Sequence, residues 1–157
     1  MFHRFRYEAE FYPSLSRIPL HVRMKLDLTG IRISLKDWLA FDFAERAALC
    51  HLPCRLADER QAFAGYLDFL SRKYCGTPVV MTDGLDSALW NKARVPEAVR
   101  KKSADSLKAI TAEEWSNWRF HQRYALYKTA ISQSQPDAFS QLLEQLRDPS
   151  AAVETEL

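Results

Sequence analysis

Glycine is scarce: four in 157 residues, none of them in a G-x-G-x-x-G or P-loop run. The chain therefore lacks the backbone phosphate cradles that such runs build. Cysteine is sparse too, and an odd count of three argues against a secreted disulfide framework. There is no excess of one charge. Lys and Arg number 22 against 20 Asp and Glu, a net +2, well short of the cationic surplus of a dedicated nucleic-acid binder. No apolar run approaches the roughly 18 residues of a membrane-spanning helix. Met1-Phe2-His3-Arg4-Phe5-Arg6-Tyr7-Glu8 carries aromatic and charged groups where a signal peptide has an apolar stretch. The expectation is a cytoplasmic protein with neither nucleic acid nor membrane as partner.

What is present is a repetition. Ile18-Pro19-x-x-Val22-Arg23-x-Lys25 returns as Val95-Pro96-x-x-Val99-Arg100-x-Lys102. Ile33-Ser34-x-x-Asp37-Trp38 returns as Ile110-Thr111-x-x-Glu114-Trp115, and Arg46-x-Ala48-Leu49 as Arg123-x-Ala125-Leu126. Every pair lies 77 positions apart, without a gap, over about thirty residues, which marks a duplicated structural unit. With 47% hydrophobic residues and this length, the chain can bury a core unaided.

The pattern predicts helices throughout. Pro19 with Leu20, Val22, Met24, Leu26 and Leu28, then Gly30, predicts a helix over 19–28 with proline in its first turn. Ser34 with Asp37 reads as a capping box, and Ile33 with Trp38 as a hydrophobic staple. A single helix from there to Leu52 is expected, ended by Pro53. Further helices are predicted over 58–74, near 96–108, from Thr111 to Ile131, and after Pro136 to Arg147, with one helical turn around 85–90. Residues 5–11 alternate Phe5, Tyr7, Ala9, Phe11 against Arg6, Glu8, Glu10, which predicts an extended N-terminal arm. The expected fold is all-α: one helical domain over 1–148, built of two tandem three-helix repeats (about 18–75 and 95–147). The two would share one core about a pseudo-two-fold, and a frayed tail would follow over 149–157.

Two groups of residues are candidates for chemistry. Cys50-His51-Leu52-Pro53-Cys54 puts two thiols and an imidazole within five residues. Structural zinc usually takes four ligands, and Cys75, the remaining thiol, has no neighbouring Cys or His. A redox pair would be spaced Cys-x-x-Cys. Cys50 and Cys54 are thus a candidate thiol site, with apolar packing the simpler account. The second group is the repeated cations Arg23, Lys25, Arg46, Arg100, Lys102 and Arg123, a candidate surface for an acidic partner or an anion. Their alternative is pairing with acidic neighbours such as Asp27 or Asp42. Trp38 and Trp115, at staple positions, are expected in the core. No metal-ligand spacing joins His3, His21, His51 and His121, and no resident cofactor is implied. The stretch Leu28-Thr29-Gly30-Ile31-x-Ile33-Ser34 has too long a turn, and too acidic a following helix, for a helix-turn-helix.

The first copy also carries a family resemblance. It runs Phe5-x-Tyr7-Glu8-x-Glu10-Phe11, Ser14-Leu15-x-x-Ile18-Pro19-x-x-Val22-Arg23-x-Lys25-Leu26-Asp27, Gly30-Ile31-x-Ile33-Ser34-Leu35-x-x-Trp38, Glu45-Arg46-x-x-Leu49 and Leu52-Pro53-Cys54. This resembles the nitrate-reductase-associated protein family over about residues 5–130. Where that family often has a cysteine before the Ile-Pro, this chain has Arg17, which weakens any thiol role taken from it. The resemblance implies a maturation factor for cytoplasmic assimilatory nitrate reductase, an enzyme holding molybdopterin guanine dinucleotide and an iron–sulfur cluster. The partner would be the reductase or its cofactor-delivery proteins. No catalytic residue comes with the resemblance, so a non-catalytic helper is expected. The rival is a cofactor-handling protein using Cys50 and Cys54 with a basic pocket.

Overall fold

Two prolines set where helices begin. Pro19 and Pro96 hold extended backbone, with φ/ψ of −62°/150° and −60°/147°, and act as N-caps rather than first-turn residues. Helix α1 therefore spans Leu20–Thr29 and α5 spans Glu97–Ala104. The computed structural model describes residues 2–105, 108–148 and 150. It is mostly helical, with one small sheet among the described residues. Two compact units emerge: one holds Phe2 and Glu8–Asp86, the other His3–Tyr7 and the chain from Ser87 on.

In the first unit, α1 ends at Gly30 (φ 68°), whose N–H donates to Leu26 O. Strand β1 (Ile31–Arg32) follows and pairs antiparallel with β2 (Val80–Met81), Ile31 opposite Met81. Gly30 is needed here for space as well as for its positive φ. A Cβ there would lie 2.8 Å from Thr82 O, and one on Gly84 would lie 2.7 Å from Asp27 O. That close approach lets Thr82 N–H reach Gly30 O and Leu85 N–H reach Asp27 O. The sheet was not legible beforehand, because two-residue strands leave no periodic trace.

The long helix expected from Ser34 to Leu52 is two helices, α2 (Leu35–Ala40) and α3 (Phe43–His51). The Ser34–Asp37 capping box forms, but a second box, Asp42 with Glu45, restarts the chain eight residues later. Phe41 at the break is extended (ψ 148°) and buried. Helix α4 (Ala57–Cys75) then runs to the left-handed Gly76. Val22, Leu26, Trp38, Leu49, Phe63 and Leu67 form this unit's core.

The second unit repeats the break. The helix expected from Thr111 to Ile131 is α6 (Ala112–Asn117) and α7 (Phe120–Ile131), parted at Trp118 and Arg119. Arg119 N–H donates to Gln122 Oε1 at 2.8 Å. A 3-10 turn at Ser87–Trp90 precedes α5, and α8 (Ala138–Arg147) closes the unit with Phe139, Leu142 and Leu143 buried. Helix α5 stops at Ala104, short of the expected 108; residues 106 and 107 lie outside the described residues. So does the expected frayed tail, apart from Ser150.

The N-terminal arm is a correction. Arg6–Phe11 is a 3-10 helix, not extended chain. Hydrogen bonding overrides the alternation, because Glu8, assigned to its outer face, turns inward. The Glu8 carboxylate accepts from Leu20 N–H, and Arg6 N–H donates to the buried Gln145 side chain at 2.7 Å.

Candidate functional site

The six repeated cations divide by environment. Arg23 and Arg100 are exposed on α1 and α5, and Lys102 and Arg46 are half-buried. Lys25 and Arg123 are buried. Lys25 Nζ donates to Leu49 O (2.9 Å) and Cys50 O (2.8 Å), carbonyls in the last turn of α3, where a cation also complements the helix dipole. Burial pulls its pKa down to about 8. Arg46 and Trp38 converge on one acceptor, Leu15 O, at 3.0 and 2.8 Å. Leu15 needs holding: it is a buried leucine at φ 50°, a left-handed conformation that costs roughly 1–2 kcal/mol. In the second unit Arg123 Nε donates to Trp90 O at 2.9 Å and its Nη1 to Trp118 O, while Trp115 Nε1 donates to Asn91 O at 2.8 Å. Neither Arg46 nor Arg123 makes its described bonds to an Asp42-type carboxylate. Both bind backbone carbonyls.

Cys50 and Cys54 are free, buried thiols near Lys25. Burial pushes Cys54 up to about 11, so it is a thiol rather than a thiolate at neutral pH. Cys75 is exposed, and partial loss of solvent around its thiol together with the hydrogen bond to the Asp37 carboxylate raises its pKa as well. Among the described residues no three His, Cys, Asp or Glu side chains are grouped to hold a metal. No described helix is long and apolar enough to cross a membrane.

Two features went unforeseen in the sequence. The first is Glu45, buried on α3, which accepts from Asp42 N–H (2.9 Å), Lys73 Nζ (2.9 Å) and the Tyr74 hydroxyl. Burial alone would raise its pKa, but these donors outweigh it and hold the carboxyl at about 2. Both carboxylate oxygens are engaged, so Glu45 ties α3 to α4 rather than offering a base. The second is an apolar face. Leu35 and Leu39 on α2 and Phe43 at the start of α3 are 48%, 48% and 51% exposed. Their four-residue spacing, turned away from Trp38, was the readable signal. At the positions 77 residues on stand Ala112, Ser116 and Phe120, and Phe120 packs on Trp90 at 5.7 Å.

What the described residues offer is an exposed apolar stripe on α2 and α3 and, separately, exposed cations on α1 and α5, with every buried ionic group described above hydrogen-bonded. Comparison with known proteins matches residues 4–146 to the family described as conserved nitrate reductase-associated protein. No curated protein and no solved structure matches the chain.

Proposed function

Because this chain belongs to the conserved nitrate reductase-associated family, we propose that it is a non-catalytic maturation factor for cytoplasmic assimilatory nitrate reductase, acting by binding the apo-enzyme. The family match over most of the chain carries this reading. Leu35, Leu39 and Phe43 support it physically, since an exposed apolar cluster suits contact with another protein. Arg23 and Arg100, the exposed members of the repeated cations, with half-buried Lys102 and Arg46, are the charged groups available to an acidic partner surface. The constant spacing of 77 residues between the starts of α1 and α5, α2 and α6, and α3 and α7 supports reading the two units as copies of one helical ancestor.

The alternative, a thiol- or metal-dependent cofactor handler at Cys50 and Cys54, is disfavoured by their burial and by the raised Cys54 pKa. The test is capture from nitrate-grown cells with a tagged chain, followed by identification of partners by mass. Nitrate reductase or its cofactor-delivery proteins should co-purify, and deleting the gene should remove reductase activity while growth on ammonium continues. Normal nitrate-dependent growth of the deletion strain would overturn the reading.

A further inference from the structure

The apolar stripe on α2 and α3 reads the same from either end. Leu39 stands at its middle, with Leu35 four residues before it and Phe43 four residues after. All three side chains are half exposed. Three residues to either side of Leu39 stand opposite charges, Lys36 and Asp42, both exposed. Lys36 Nζ makes no ion pair among the described residues. Asp42 accepts from Glu45 N–H through Oδ1, and its Oδ2 takes no hydrogen bond among the described residues. Ala40 and Ala44, also exposed, offer no bulk against a close approach.

This pattern complements itself. When two copies meet about a two-fold axis at Leu39, their chain directions oppose. Leu35 then lies against Phe43 of the second copy, Leu39 against Leu39, and Lys36 against Asp42. An isologous contact requires such matching, because each residue must complement another on the same surface. A foreign partner sets no such condition. The second unit has lost half of the arrangement. Its corresponding charges persist with their signs exchanged, as Glu113 and Arg119, but Ala112 and Ser116 replace the leucines and Phe120 packs on Trp90.

We infer that the stripe on α2 and α3 is an interface with a second copy of this chain, formed about a two-fold axis at Leu39 with Lys36 and Asp42 paired across it. Three half-exposed apolar side chains per copy put the contact at the low end of interface sizes, under about 1,200 Å² in total. The dimer is therefore weak, with a dissociation constant on the order of 10–100 µM. This goes beyond the association with nitrate reductase, which would have to displace one copy from the stripe. A monomeric chain that still captures the reductase loses this inference alone. A dimeric chain that fails to capture it loses only the other.

The test is sedimentation equilibrium of the full chain from about 5 to 500 µM, which brackets such a constant. The mass should rise from one copy to two and stop there. Lys36→Glu sets like charges against each other at both ends and should weaken the dimer about tenfold or more. Asp42→Lys should do the same alone. Mixing it with the Lys36→Glu chain should restore association, because every charged contact then joins opposite signs. Circular dichroism checks that Asp42→Lys, which loses the cap of α3, still folds. Should it not, Leu39→Glu takes its place, since two carboxylates on the axis should abolish the dimer. The inference is overturned by a chain that stays monomeric at the highest concentration, or by growth beyond two copies. It is also overturned by a Lys36→Glu or Leu39→Glu dimer as tight as the unaltered one, or by a well-folded mixture that associates no better than its components.

Discussion

Trp38 in the first unit and Trp115 in the second do the same work. Both are wholly buried, and each indole N–H donates to a backbone carbonyl 2.8 Å away. Arg46 and Arg123 match as well, each holding carbonyls of the segment that leads into its unit's first helix. The other shared positions diverge. Asp37 reaches back to Ser34 N–H and completes a capping box. Its counterpart Glu114 instead takes a bidentate hydrogen bond from Arg147, at 2.8 Å on each oxygen. Lys25 is interior, whereas Lys102 is half-buried. Leu35 and Leu39 become Ala112 and Ser116. The tryptophan and arginine pairs, which hold backbone carbonyls, are kept, because an unmade buried hydrogen bond costs about 1–3 kcal/mol; Lys25, which holds the Leu49 and Cys50 carbonyls, is the interior exception. Groups at the surface are free to differ, and most of the differences between the two units lie there.

The largest effect should come from the tryptophans. Trp38→Ala and Trp115→Ala are each expected to cost about 3–5 kcal/mol, from lost packing and a residual cavity. Urea unfolding of the two variants measures it. A cost below about 1 kcal/mol for Trp115→Ala would break the equivalence between the units.

The next effect is a pH dependence that belongs to the first unit. Burial raises Glu8 from 4.5 to about 7, so between those values the folded chain holds a proton that the unfolded chain has lost. Stability from this group is complete below pH 4.5 and is lost as pH rises through 7, by up to about 3 kcal/mol. Glu8→Gln should flatten that fall in unfolding free energy measured from pH 4.5 to 7.5. The windows on either side run the other way. Glu45, held at about 2, gives stability above 4.5 that disappears as pH falls towards 2. Lys25, lowered from 10.5 to about 8, makes stability rise with pH across that interval. An unchanged pH profile in Glu8→Gln would refute the assignment.

Lys25 and Lys102 should then separate. Lys25→Met keeps the volume but leaves the Leu49 and Cys50 carbonyls without their donor, at about 1–3 kcal/mol. Lys102→Met, at a half-buried position, should fall within about 0.5 kcal/mol. Thermal unfolding of the pair decides, and equal costs would mean that the repeated lysine has one role in both units.

How much of this was readable beforehand depended on the length of the signal. The helices of both units showed in their apolar spacing, and Ser34 and Thr111 correctly marked helix starts, because caps and periodicity are local. The breaks at Phe41 and Trp118 were missed, although Asp42-x-x-Glu45 is itself a capping box. The continuous apolar stripe across it read as one helix. The arm was misread because its fate depends on partners far along the chain: Leu20 for Glu8, Gln145 for Arg6. The candidate cations were visible as a pattern, yet no spacing rule could tell that Lys25 and Arg123 point inward while Arg23 and Arg100 stay in water.

The smallest effect on stability bears most on the proposed function. Leu35→Ala with Leu39→Ser rewrites the outer face of α2 as that of α6, changing no buried side chain. Each substitution should move the unfolding free energy by no more than about 0.5 kcal/mol, as expected of surface positions. If the second unit shows what this face looks like without a partner, the double variant should fold normally and lose its grip on nitrate reductase. The measurement is co-purification from nitrate-grown cells, paired with circular dichroism to show an intact fold. Arg100→Ala/Lys102→Ala, on the second unit, serves as the comparison. Loss of capture in the α2 variant alone would place the contact on the apolar stripe. Loss in the α5 variant alone would move it to the repeated cations, and undiminished capture by a well-folded α2 variant would remove the stripe from the proposal.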